Sequence, residues 1–182
     1  MNVLEKLINE HHFIQKFLDR LQEAQIKMEA GGKPSPEFFS KVLECARSFT
    51  DKYHHFKEEH LLFSLLAMKK KGELDAQIET LRYTHEQGRN LISQIAQALP
   101  GYSQGQEAAG IIILENLAAY ISLLKKHMHQ EDHVFFLMVA KEVTPAEQQE
   151  LSAAFQREEA KVGEKFLAKM ADTLIEMESL LA

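Results

Sequence analysis

The stretch LDAQIETLRYTHEQGRNLISQIAQAL, residues 74–99, decides the fold. One side of it reads Leu74, Ile78, Leu81, His85, Gly88, Ile92, Ile95, Leu99, stepping alternately by four and three. That is the period of one α-helix face, whereas a half-buried strand alternates every second residue. His85 stands in the middle of this apolar seam.

The same period runs outward in both directions. A first helix is expected from Asn2 to Glu29, with Leu4, Leu7, Ile14, Leu18, Leu21 and Met28 on one face, and Ala30-Gly31-Gly32-Lys33-Pro34 ending it. Ser35 is a suitable N-cap with Pro36 at the first helical position, and the second helix runs to about Lys71, closed by Gly72. The third spans Leu74 to Leu99 and is broken by Pro100-Gly101; the fourth spans about Gln106 to Lys141. Thr144-Pro145-Ala146-Glu147 is a capping-box start for one long helix, or two joined near Gly163. Four long helices with short connections predict an all-α, up-down-up-down four-helix bundle. The expected organisation is a single domain, its bundle core over about residues 2–141 and a C-terminal helical extension over about 145–182. The extension's apolar side (Val162, Phe166, Met170, Leu174, Met177, Leu181) needs a partner, either the bundle itself or a second subunit in a homodimer.

Composition narrows the function. Of 182 residues, 45 % are hydrophobic and 26 % charged, a soluble globular balance. The net charge of -6 argues against a nucleic-acid or anionic-membrane surface. No apolar run reaches the ~18 residues of a membrane span, and the charged amphipathic N-terminus lacks a secretory pattern, so the cytoplasm is the expected compartment. Cys45 is the only cysteine, which rules out an internal disulfide or a Cys-based metal site. Nine histidines stand out instead.

Several of them interrupt apolar seams. In the first helix His11 fills the slot between Leu7 and Ile14; in the second, His54 and Glu58 lead into Leu61 and Leu65. In the fourth, the seam Ile113, Leu117, Tyr120, Leu124, His127, Glu131, Val134, Met138 holds a His and a Glu one turn apart. A buried Glu costs several kcal/mol unless it is paired or bound to a cation. Neutral imidazoles and ionised carboxylates are what a divalent or trivalent cation takes. The candidate ligands are therefore His11, His54, Glu58, His85, His127 and Glu131. An internal echo supports this: HHFKEEHLLF (54–63) and HMHQEDHVFF (127–136) agree at their first, fifth, seventh and tenth positions. Two metal ions bridged by two carboxylates have approximate two-fold symmetry and suit such a repeat. The expected scheme puts His11 and His54 on one metal, His85 and His127 on the other, and Glu58 and Glu131 between them.

The ordered set H…HxxxE…H…HxxxE resembles the hemerythrin-like proteins of the HHE cation-binding family. It is carried by Glu10-His11 with Ile14, by Tyr53-His54-His55-Phe56-Lys57-Glu58-Glu59 with Leu62-Phe63, by His85 to Arg89, and by His127 to Glu131 with Phe135-Phe136. The resemblance implies two iron ions in a non-haem centre, zinc or manganese being possible substitutes. It also implies a small diatomic or peroxide ligand: binding or sensing of dioxygen, peroxide or nitric oxide, or alternatively an iron-dependent peroxidase- or catalase-like activity or iron-centre repair. Two departures stand against simple oxygen carriage: His85 is followed by Arg89 where oxygen carriers have a second His, and His127 by Glu131 where they have HxxxxD. Some relatives use the residue after the second-helix His, here His55. Arg89 is a candidate partner for a site carboxylate or for Glu86, and Tyr53 and Tyr120 are candidate hydrogen-bond donors. His12, His60, His129 and His133 are expected off the seam. Ferritin-like Glu-x-x-His pairs are absent, and His129-Gln130-Glu131-Asp132-His133 has Gln where a zinc protease needs its base.

Overall fold

A computed structural model describes residues 2–69, 72 and 74–182, and every regular element among them is helical. In chain order these are α1 (Val3–Glu29), α2 (Pro36–Cys45), two π-helical stretches π1 (Ala46–His55) and π2 (Glu58–Leu62), α3 (Phe63–Lys69), α4 (Asp75–Ser103), α5 (Glu107–Gln130), π3 (Glu131–Phe135), α6 (Phe136–Glu142), α7 (Pro145–Val162) and α8 (Phe166–Leu181). Two starts follow the expected caps, at Ser35 and Thr144, and Asn2 adds a third. Asn2 and Glu5 form a reciprocal capping box, as do Thr144 and Glu147, and the Ser35 hydroxyl accepts from the Phe38 amide at 3.2 Å. The expected end of the second helix at Lys71 lies outside the described residues. The C-terminal segment is two helices, parted at Gly163, whose φ of +84° suits glycine alone.

Pro100-Gly101 does not break the helix where the sequence predicts. α4 continues through Pro100 to Ser103, and the turn comes at Gly105, with φ +79°. The extra turn is anchored by the Tyr102 hydroxyl, which donates to the Pro34 carbonyl at 2.6 Å. Gly101 serves close approach instead: a Cβ there would lie 2.7 Å from Gln106 Oε1 and 3.1 Å from Ala109 Cβ.

The two halves of the internal repeat share a second departure. The apolar period predicts Leu61 and Leu65 as core positions after Glu58, and Val134 and Met138 after Glu131. Instead Leu62 and Leu66 are buried in one copy and Phe135 and Val139 in the other, while Val134 is 53 % exposed. Both copies contain a π stretch starting at their Glu, π2 at Glu58 and π3 at Glu131. A wider i→i+5 turn takes up one more residue than an α-turn, so the apolar face re-emerges one position later.

The buried apolar side chains form two clusters. One gathers Ile14, Phe17, Phe49, Tyr53, Ile92, Leu117 and Leu124; the other gathers Leu4, Leu7, Leu62, Phe63, Leu81, Phe135 and Phe136. The expected polar residues lie between them along each helical stretch: His11 between Leu7 and Ile14, His85 between Leu81 and Ile92. The C-terminal helices add to both, α8 through Met170 and Met177 to the first cluster and α7 through Leu151 and Phe155 to the second. Within Glu107–Glu142 one 18-residue window reaches a mean hydropathy of 1.5, as the core helix of a bundle can, although no unbroken apolar run does. Its buried face, from Ile113 to Leu124, packs into the first cluster.

Candidate metal centre

The local conformation brings adjacent histidines to one place. His54 and His55 end π1, and a π-turn rotates successive side chains by less than the ~100° of an α-helix. Both can therefore face inward from one stretch of backbone. Glu58 opens the next π stretch, one turn on, and Glu131 opens the corresponding stretch after His127. π-Helical insertions of this kind gather at functional sites.

All six residues expected from the sequence are buried in the layer between the apolar clusters, Glu58 and Glu131 completely. They fall into two groups whose potential ligand atoms lie within 4.8 Å of one another: His11, His54, Glu58 and Glu131 in the first, His55, Glu58, His85 and His127 in the second. Glu58 belongs to both. Its Oε1 lies 3.4 Å from His54 Nε2 and 3.9 Å from His11 Nε2, and its Oε2 lies 3.4 Å from His85 Nε2. Glu131 Oε2 also reaches across, 3.4 Å from His11 Nε2 and 3.1 Å from His127 Nε2. His11 and His54 thus fall in one group and His85 and His127 in the other. The addition is His55, whose ring stacks on His85 with centroids 3.7 Å apart.

The donor set fits a cation. Both oxygens of Glu58, both of Glu131, and Nε2 of His11 and His54 are buried without a hydrogen-bond partner. Four unpartnered carboxylate oxygens in a dry layer carry a heavy desolvation cost, which a cation removes. Burial also pushes His54 and His55 well below the ordinary imidazole range and His127 down to about 3, leaving neutral rings with free lone pairs. Burial, with the nearby Glu131 charge, drives Glu58 upward; in Glu131 the same burial is outweighed by His127 and His11, which bring it down. Without a cation the two carboxyls cannot both ionise comfortably.

A family model of the hemerythrin HHE cation-binding domain matches residues 2–139. The chain belongs to that family. Hemerythrin-like domains bind metal ions, generally iron. Among similar curated proteins are two uncharacterised ones, Rv1995 of Mycobacterium tuberculosis and Mb2018 of Mycobacterium bovis. Each is 24 % identical over 178 residues, covering 97 % of this chain and 69 % of the relative. No solved structure matches the chain significantly.

Around the inner groups this HHE domain builds an outer layer of acceptors. The Nδ1 of His11 donates to Asp132 at 2.7 Å, that of His54 to Glu10 at 2.9 Å, and that of His85 to Glu59 at 2.6 Å. Each bond fixes the tautomer that turns Nε2 toward the centre. Glu59 and Asp132 are the sixth positions of the two repeat copies, so each copy supplies an inward carboxylate and then one that orients a His on another helix. Sequence reading missed these acceptors, although the paired acids Glu58-Glu59 and Glu131-Asp132 were a visible signal. Arg89 pairs with Glu86 at 2.9 Å and also holds Glu59 at 3.1 Å and Asp51 at 2.9 Å. Partial burial acts to raise Glu59, but hydrogen bonds from His85 and Arg89 hold it down at about 2. Glu59→Gln is expected to weaken metal binding about 10- to 100-fold, read by competition against a chelator of known affinity.

The remaining candidates divide. His12, His60, His129 and His133 are exposed and outside the centre. Tyr53 packs against Phe49 and Phe166, under the buried Lys57 ammonium 3.7 Å from its ring. Tyr120 is buried with its hydroxyl toward Thr50 and borders a cavity of about 170 Å³. Thr50, Asp51, His55, His85 and Gly88 also line that cavity, which thus meets the second group and not the first.

Proposed function

We propose that this chain is a non-haem di-iron protein that binds or senses a small molecule, dioxygen, peroxide or nitric oxide, at the buried His/Glu layer. His11, His54 and Glu131 hold one iron, His85 and His127 the other, and Glu58 lies between the two, with His55 beside the second. The observation that carries this reading is the position of Glu58, with one oxygen facing each imidazole group and neither otherwise partnered. Bound iron would supply Lewis-acid and one-electron chemistry. The chain's own part is to aim imidazole Nε2 atoms at the centre, three of them through tethered Nδ1–H groups, to shield the layer with two apolar clusters, and to leave a cavity beside His55 and His85. A ligand entering that cavity reaches His55 and His85 directly.

The centre also bears on the architecture. Residues 3–29 pass from the second apolar cluster to the first, residues 36–69 return, residues 75–103 pass again and residues 107–142 return. This alternation supports an up-down-up-down four-helix bundle as one domain, with the C-terminal helices of residues 145–181 laid along it.

Metal analysis and an optical spectrum, on protein purified without chelators and exposed to air, test the reading. About two irons per chain, with near-ultraviolet charge-transfer bands that vanish in His54→Ala, are expected. Failure to take up iron on reconstitution refutes it.

A further inference from the structure

His55 stands apart from the other imidazoles of the layer. The Nδ1 atoms of His11, His54 and His85 are tethered to carboxylates at 2.7, 2.9 and 2.6 Å. His55 Nδ1 has no hydrogen-bond partner and lies 3.9 Å from Asp51 Oδ1. His127 is untethered too, but it does not border the cavity, whereas His55 does. His85 borders it as well, yet Glu59 and Arg89 hold that ring in place. His55 is thus the one imidazole of the second group that both faces the cavity and lacks an outer anchor. Asp51 lines the same cavity and is itself fixed by Arg89 at 2.9 Å.

We infer that His55 is a displaceable ligand: it occupies the cavity-facing position of the second metal, and an incoming small anion or diatomic molecule replaces it. Once released, its Nδ1–H donates to Asp51, which needs only about an ångström of closer approach to make a hydrogen bond. His55 then limits affinity as any competing internal ligand does. If it occupies the position about nine-tenths of the time, the apparent affinity for an external ligand falls about tenfold. The site would exclude weak ligands such as water while admitting strong ones, and Asp51 would set how readily it opens.

This inference rests on the metal-binding reading above, and azide separates the two. Azide is titrated optically into the iron-loaded, full-length wild type, His55→Ala, His55→Leu and Asp51→Asn, with iron content measured in parallel. The expected result is about two irons in all four proteins, azide affinity raised about tenfold or more in both His55 variants, and affinity lowered several-fold in Asp51→Asn. A merely structural role for either residue does not give these opposite signs. Loss of one iron from both His55 variants makes His55 a fixed ligand and overturns the inference, as does azide affinity unchanged from wild type. A wild type that takes up no iron refutes the parent reading instead. The two substitutions at position 55 guard against a single misfolded variant.

Discussion

Glu58→Leu is expected to strip both metals from the centre while making the metal-free chain more stable. The carboxylate faces His11 and His54 through one oxygen and His85 through the other, so this one side chain serves both groups with separate oxygens. Iron should fall from about two per chain to about none, whereas His11→Ala should empty the first group alone. Stability moves the other way. In the metal-free wild type both Glu58 oxygens are buried and unpartnered, and burial with the Glu131 charge drives the group toward its neutral form. A leucine removes that cost, and replacing buried ionic groups by apolar packing is often neutral or stabilising, by up to about 4 kcal/mol. At roughly 2–4 °C per kcal/mol for a chain of this size, the melting temperature rises by several degrees. Calorimetry of both proteins in chelator, beside metal analysis, checks the pair of effects; a variant that keeps one iron, or melts below the metal-free wild type, contradicts the shared role.

Lys57→Ala is expected to give the largest loss of stability. Lys57 is 1 % exposed, its ammonium paired with Glu10, 3.5 Å from Glu159 on α7 and over the Tyr53 ring. Burial raises Glu10 to about 7 even with Lys57 beside it. Removing one partner of a buried ion pair leaves the other uncompensated and costs about 3–5 kcal/mol. That corresponds to a melting temperature lower by about 6–20 °C. The double variant Lys57→Met, Glu10→Gln should recover most of the loss, because the substituted amide keeps an oxygen for the His54 Nδ1–H and no charge is left unpaired. A single variant that loses less than about 1 kcal/mol would show that protonation of Glu10 or solvent relieves its charge.

The helices and the inner six residues were legible because both signals are periodic. Apolar positions stepping by three and four fixed the helical faces, and a His or Glu in such a seam is visible as an interruption. His55 was marked only by the family resemblance and not by periodicity, since a helical wheel turns about 100° per residue and sets it beside the seam rather than in it. The π-turns that bring it inward have no periodic signature, and the same turns moved the core from Leu61 to Leu62 and from Val134 to Phe135. Glu10, Glu59 and Asp132 act across helices, on imidazoles 44, 26 and 121 residues away in sequence. Nothing local marks such a partner. Lys57 reads as a solvated charge until Glu10 and α7 are seen to enclose it. Pro100 failed as a breaker because its cost is small in a last turn that Tyr102 ties down.

The placement of the polar layer between two apolar clusters also bears on how the rods find their alignment. Seams of Leu, Ile and Phe are nearly interchangeable from turn to turn, and a helix sliding by one turn, about 5.4 Å, would still meet apolar neighbours. Here such a slide would push a carboxylate or a tethered imidazole into hydrocarbon and leave its acceptor behind. Buried polar groups specify register in this way at a cost in stability. The candidate metal centre is thus an alignment notch too, setting the relative height of α1, α4 and α5 before any ion arrives.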